Sequence, residues 1–389
     1  MAKKYKIKRN QKIYGRSPHR SSIIKWVCVV LICALVAFIG YSIAPVVIDF
    51  FSGNFNPPSS SDSSSASQTG DNSSSSGSQQ QTAGSLESIA AASLSELAAN
   101  PDSLAAALKG QSRTAALFTV KGEDGILRYT TASAEAVAAE AVSGDALNLS
   151  GAAKKLSTGG VLPIAGLSAF RDPQGAKKMT DACVKYQNGG VATETMWLDN
   201  YANQGGKPWF NPYSQRARNY IASLAGELAD LGFEAVLLDH LQFPDGVGLH
   251  YASYPGSTGG DKSDALYAAS QAVKSTLQGK NCQLIISVPV LAGLGQKADQ
   301  YGSTPFKLDA DYILLDMTGA MLQTRYAVGS EVIELSADRA AGLTRLVALL
   351  KENAGTQGFT GKLMVKLDAA DTELADIVKA AGINSLLYS

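Results

Sequence analysis

The sequence is poor in the side chains that bind metals or carry redox chemistry. It has three histidines and four cysteines in 389 residues, and no CxxC or Cys/His spacing suggests a metal site. A metal-dependent polysaccharide deacetylase needs clustered His and Asp ligands. Outside the basic N-terminus only His240 and His250 are left, so that activity is excluded. No metal and no cofactor is expected. Phosphate loops are missing too: no GxGxxG follows a strand and there is no Walker A sequence. Three local absences are as telling. Residues 1–25 contain no acid, residues 26–48 no charged side chain, and residues 52–85 almost no large apolar group.

Each local absence has a physical reading. Lys3, Lys4, Lys6, Lys8, Arg9, Lys12, Arg16, Arg20 and Lys25 form a basic flank before the uncharged run Trp26–Ile48. As a helix that run is about 35 Å long at about 1.5 Å per residue, enough for a hydrocarbon core of about 30 Å. A basic flank on this side predicts a cytoplasmic N-terminus with the rest of the chain outside. The span accounts for the flank, so no nucleic acid is expected as partner. A cleaved signal peptide is the rival, but no small-x-small cleavage site follows the run. The Ser/Gln/Gly-rich stretch beyond it cannot bury enough surface to offset its ordering entropy and reads as a disordered tether. The expected organisation is a basic tail (1–22), a transmembrane signal-anchor (23–51), a linker (52–85) and a globular domain (86–389) on the extracellular side of the cell membrane. Cys28 and Cys33 fall in the span. Cys183 and Cys282, in the outer domain, are read as two separate buried thiols, although an oxidising exterior would let them pair.

From Leu86 onward, short apolar runs alternate with helical patterns. The strand candidates are Leu86–Ala91, Ala115–Lys121, Val161–Phe170, Glu234–Asp239, Gln283–Pro289, Asp311–Asp316, Lys362–Leu367 and Ser385–Tyr388. Helices are expected between them, for example over Ala132–Ala141, Asp264–Leu277 and Ala340–Glu352. Eight such units in about 300 residues predict an α/β chain folded as a (β/α)8 TIM barrel; a doubly wound open sheet is the alternative. The clearest unit precedes the fourth strand. Tyr220, Ile221, Leu224, Leu228 and Leu231 share one helical face, Gly232 stops the helix in the left-handed conformation, and the strand delivers Asp239 and His240 to its C-terminal end.

A parallel barrel carries its chemistry at the C-terminal ends of its strands. Those ends offer Lys121 with Glu123 and Asp124, Arg171-Asp172-Pro173, Asp239-His240, Asp316, and Lys366 with Asp368; the fifth strand ends in Pro289 and has no acid. Glycoside hydrolysis needs two carboxylates flanking the scissile bond. Trp197, Trp209 and Tyr213, in the loop before the clearest helix, could stack on sugar rings or simply anchor the loop. Asp172 and Asp368 also stand where helix N-caps belong. His240 could be a hydrogen-bonded structural group. Lys121 and Lys366 could pair with the acids.

Trp209-Phe210-Asn211-Pro212, Tyr220, Gly232-Phe233-Glu234 and Leu238-Asp239-His240-Leu241-Gln242-Phe243-Pro244 together resemble a family of TIM-barrel proteins regarded as glycoside hydrolases and long classed as a domain of unknown function. Lys121-Gly122-Glu123-Asp124-Gly125 and Phe170-Arg171-Asp172 are similar to two further motifs of that family. The resemblance covers roughly residues 86–389, and this chain is a divergent member. The family has Tyr-x-Arg after the strand-four Asp where this chain has His240 and Gln242, and it tends to an acid where this chain has Pro289. The resemblance implies a glycoside hydrolase, and together with the expected membrane span it gives a membrane-anchored hydrolase of cell-wall or environmental polysaccharide. Asp239 would be nucleophile or base; the strand-five acid that would be the proton donor is absent, so Asp316, or else Asp172, would have to substitute. Trp197, Trp209, Tyr213, His240, Lys121, Asp172 and Arg171 would line the substrate site. The departures imply an alternative, a barrel that binds glycan without cleaving it.

Overall fold

The computed structural model describes residues 85–257 and 260–389. The expected tail, membrane span and all but the last residue of the linker lie outside the described residues. Among those described, no helix is long and apolar enough to cross a membrane.

Eight parallel strands close on themselves: β1 (Ser88–Ala91), β2 (Ala115–Lys121), β3 (Leu162–Ser168), β4 (Ala235–Asp239), β5 (Gln283–Pro289), β6 (Tyr312–Asp316), β7 (Lys362–Leu367) and β8 (Ser385–Tyr388). β1 pairs with both β2 and β8, so the sheet has no open end and the doubly wound alternative is ruled out. The eight expected strands are the eight of the barrel. They read clearly because each is covered on both faces, and a strand covered on both faces is a near-continuous apolar run; every residue of β3 is buried.

The helices outside the barrel include α1 (Pro101–Gly110), α2 (Ala152–Thr158), α3 (Gln215–Asp230), α4 (Lys262–Leu277), α5 (Arg339–Thr356) and α6 (Thr372–Ala380). The Ser214 side chain caps α3 by accepting from Ala217 N, and Gly232, at φ 97°, supports the turn into β4. α6 corrects one expectation. Its cap is Asp371, which accepts from Leu374 N, whereas Asp368 accepts from Gly319 N on the neighbouring loop.

The expected helix over Ala132–Ala141 is also corrected. Only Ala134–Ala138 is helical, and strands Leu127–Tyr129 and Val142–Leu147 flank it. They extend the sheet outward from β2 through the Lys121–Leu127 pairing. Alanine is the best helix former, but propensity is a weak prior: Ala141 O is taken by Leu127 N, and the run passes directly into the strand that pairs with Leu127–Tyr129.

Cys183 and Cys282 are free and buried, as expected. Cys183 follows the C-terminal end of β3 and Cys282 precedes β5, so they belong to opposite ends of the barrel. Burial, reinforced by the charges of Glu234 and Asp311, pushes the Cys282 thiol up to about 12. At pH 8 a thiol reagent should therefore label Cys282 slowly in the folded chain, and urea should release the reactivity. The sign for stability follows: a folded-state value above the ordinary 9.0 leaves stability intact below that pH and erodes it as pH rises toward 12.

Candidate active site

Side chains of a strand alternate between faces, and that alternation selects what reaches the open end of the barrel. Ala235 and Leu237 of β4 and Tyr312 and Leu314 of β6 belong to the small apolar cluster that fills the barrel. Asp239 and Asp316 continue those two inward rows. Alternate strands supply one layer of a (β/α)8 barrel. Leu237 pairs with Ile285, and Ile285 with Tyr312. Strand tilt advances the level by about one residue per strand, so Asp316 stands level with Asp239. Both line a cleft of about 530 Å³ together with Glu123, Arg171, Asp245 and Lys366. A cavity of about 240 Å³, reaching Leu237 and Leu314, continues it into the barrel. Another hollow, of about 520 Å³, opens beside Cys282 and Asp311 at the opposite end, the end that serves stability in this fold.

Asp239 is 53% exposed. Its Oδ1 accepts from His240 N at 3.0 Å, while Oδ2 lies 3.7 Å from His240 Nδ1 and is open to a ligand. The other ring nitrogen, Nε2, lies 3.6 Å from Glu123 Oε1. One imidazole thus stands between two carboxylates, which puts Glu123 within about 10 Å of Asp239. His240 has φ 52°, a left-handed conformation that for a side chain other than glycine costs of order 1 kcal/mol. Three contacts hold it there: Asp239 O accepts from Ala169 N, His240 O accepts from Phe170 N, and the ring meets Trp209 edge to face.

Asp316 is 14% exposed and occupied on both oxygens: Oδ2 by Lys366 Nζ at 2.9 Å, Oδ1 by Thr318 N and Oγ1. Glu123 holds Arg171 at 2.6 Å through Oε2. Gln242, where the family motif has arginine, is buried and accepts from the Tyr301 hydroxyl. Burial first, then the charges of Asp239 and Asp245, holds that phenol well above its usual range, so it stays a neutral donor.

The expected site residues therefore divide. Asp239, Asp316, His240 and Arg171 meet at the mouth. Trp197 and Trp209 do not offer a ring face there. Both are buried, with indole N–H groups donated to Gly248 O and Asp199 Oδ2. Tyr213 packs on Phe243 and Tyr254 and donates to Gly260 O. These three are loop anchors. Lys121 and Asp172 do not line the 530 Å³ cleft; they are 1% and 0% exposed, as an ion pair at 2.7 Å, and Lys121 borders only the inner cavity. A β-bulge between Thr119 and Lys121 is the reason: it pairs Lys121 with Leu167, an outward residue of β3, and so re-aims the lysine into the layer under the helices. Asp172 caps the following helix by accepting from Gly175 N.

Glu123 is the residue that strand-end reasoning passed over. Its signal was present in Lys121-Gly122-Glu123-Asp124-Gly125, but only the fold brings it to His240, 117 positions later in the numbering of the chain. Among the described residues, no group of three or more His, Cys, Asp or Glu is placed to hold a metal ion.

A family model described as "Putative glycosyl hydrolase domain" matches residues 95–307. No curated protein matches the chain. Among solved structures, the glycoside hydrolase domain of PgaB (BpsB) from Bordetella bronchiseptica is similar, with a TM-score of 0.52 and 12% identity over 78% of this chain and 93% of that one. A hypothetical protein from Ruminiclostridium thermocellum is 19% identical, with a TM-score of 0.42, over 50% of this chain and 95% of its own. The α-galactosidase TtGalA of Thermus thermophilus has a TM-score of 0.43 and 11% identity over 78% of this chain and 57% of that one.

Proposed function

The chain belongs to this glycosyl hydrolase domain family, and on that premise we propose that it hydrolyses glycosidic bonds of a cell-wall or environmental polysaccharide. One observation carries the reading: Asp239 and Asp316 stand in one layer of the barrel mouth and line one cleft. Their strands are two apart, about 10 Å at 4.7–4.9 Å per neighbour, and inward side chains from such strands converge into the range that two catalytic carboxylates need. Asp239, with an open oxygen, is the group that meets the sugar as nucleophile or base. Asp316 is the proton donor of this scheme, and Glu123 is the competing second carboxylate. Asp316 must release Lys366 or Thr318 to act; Glu123 must release Arg171.

The test is release of reducing ends from a polysaccharide panel by the purified chain and by Asp239→Asn, Asp316→Asn and Glu123→Gln. Loss of the proton donor is spared by an aryl glycoside whose leaving group needs no protonation. The variant that recovers on that substrate, Asp316→Asn here, identifies the donor. Equal activity in wild type and Asp239→Asn would remove Asp239 from the chemistry.

Pro289 at the end of β5 and Gln242 after β4 favour a second reading, a barrel that binds glycan without cleaving it. Its signature is binding on a glycan array by a chain that releases no sugar.

We propose also that the basic flank and the uncharged run after it anchor the chain in the cell membrane, with the barrel outside. This rests on the charge pattern of residues 1–48. Protease added to intact cells should remove the barrel while the N-terminus survives in the membrane fraction; a barrel released into the medium with a new N-terminus would mean a cleaved signal peptide instead.

A further inference from the structure

The Lys121–Asp172 pair is charged, buried and not part of the 530 Å³ cleft, although Lys121 borders the inner cavity. A buried ion pair is a weak source of stability, because desolvation offsets its attraction and apolar replacements often hold the fold as well or better. Its surroundings point to another use. Lys121 Nζ also donates to Ser168 O at 2.6 Å and lies 5.8 Å from the Tyr220 ring centroid. The hydroxyl of that same Ser168 donates to Arg171 O at 2.7 Å and lies 3.4 Å from His240 Nδ1. The loop from Gly122 to Gly125 folds over Asp172 so closely that a Cβ at Gly125, where φ is 76°, would overlap the carboxylate.

The ends of β2, β3 and β4 therefore converge on one buried charge pair. Two residues beyond Lys121 stands Glu123, and one before Asp172 stands Arg171. These partners form the second ion pair, the one at the mouth.

We propose that Lys121 and Asp172 are positioning residues: their buried pair sets the loops after β2 and β3 in the register that places Glu123 against Arg171 and His240. Its meaning for catalysis rests on the hydrolase reading; the placement itself does not, and can be measured without a substrate.

The measurement is coupling between Glu123 and His240. The chain has three histidines, His19, His240 and His250, so the imidazole region of its NMR spectrum is sparse, and the His240 signal is assigned by its loss in His240→Asn. Glu123→Gln should move the His240 ring signal in the wild-type background. The neutral background is Lys121→Met with Asp172→Asn, which removes both charges and keeps an acceptor for Gly175 N. There the fold and melting temperature should be retained, and Glu123→Gln should no longer move the signal. Coupling that persists in the neutral background overturns the proposal. So does a neutral variant that no longer folds, provided that Lys121→Arg, which keeps the charge, folds and keeps the coupling, since the pair would then serve folding itself. Where hydrolysis is measurable, kcat of the neutral variant should fall by about 10²-fold with KM unchanged. If the wild type proves inactive, the hydrolase reading fails while the NMR result still decides this one.

Discussion

Asp239→Asn should lower kcat on the responsive polysaccharide by about 10³-fold or more while leaving the melting temperature within a few degrees of wild type. A positioned acid, base or nucleophile contributes about 10²–10⁴-fold, and amide for carboxylate removes the charge and the attacking oxygen while conserving shape. Stability should hold because Asp239 is more than half exposed and, among the described residues, no Lys or Arg lies within ion-pair distance of it. Its one hydrogen bond, from His240 N, can be accepted by the Asn carbonyl oxygen. KM should change little if the cleft's other groups carry binding. The check is steady-state kinetics beside a thermal melt. A variant with unchanged kcat, or one that loses activity only by unfolding, would sink the assignment.

Trp209→Ala should be the most damaging of the site-region substitutions for stability, by about 3–5 kcal/mol, the range for deleting a buried aromatic side chain. Trp209 is fully buried, and its backbone bridges Val184 N on one side while its indole N–H holds Asp199 Oδ2. The ring packs against His240 and beneath the Arg171 guanidinium, 5.7 Å from its centroid. Truncation leaves a cavity and takes from Asp199 Oδ2 its hydrogen bond, leaving Arg171 at 3.9 Å, and it removes the wall that keeps His240 in its left-handed conformation. For a domain of this size that corresponds to a fall in melting temperature of about 10 °C. Urea unfolding followed by circular dichroism tests it. A loss below about 1 kcal/mol would mean that the ring is not the anchor that its burial indicates, and would reopen a role for it at the cleft.

These two residues also mark how far local pattern reaches. Asp239 could be located from sequence because everything that places it is contiguous: the apolar face of α3, the stop at Gly232 and five strand residues that end on it. Trp209 could not be resolved, since stacking platform and loop anchor look alike in sequence. Burial is decided by Asp199, earlier in the same loop, and by Arg171 and His240, which follow the ends of β3 and β4. Lys121 shows the same limit more sharply. Period-two alternation alone continues the inward row from Leu117 and Thr119 to Lys121, toward the cleft. One extra residue in the ladder sends it the other way, because a bulge inverts the face of everything after it.

The sequence by itself determined the eight strands, the helix that precedes β4, the end of the barrel at which charge collects, and the family. All of these follow from local periodicity and from motifs a few residues long. Only the tertiary structure decided that Asp316 stands level with Asp239, that Glu123 reaches His240, and that Lys121 and Asp172 are buried together under the Gly122–Gly125 loop. Each of those facts joins positions dozens of residues apart. They depend on the closure and tilt of the barrel, which belong to the whole set of strands and to no one stretch of chain.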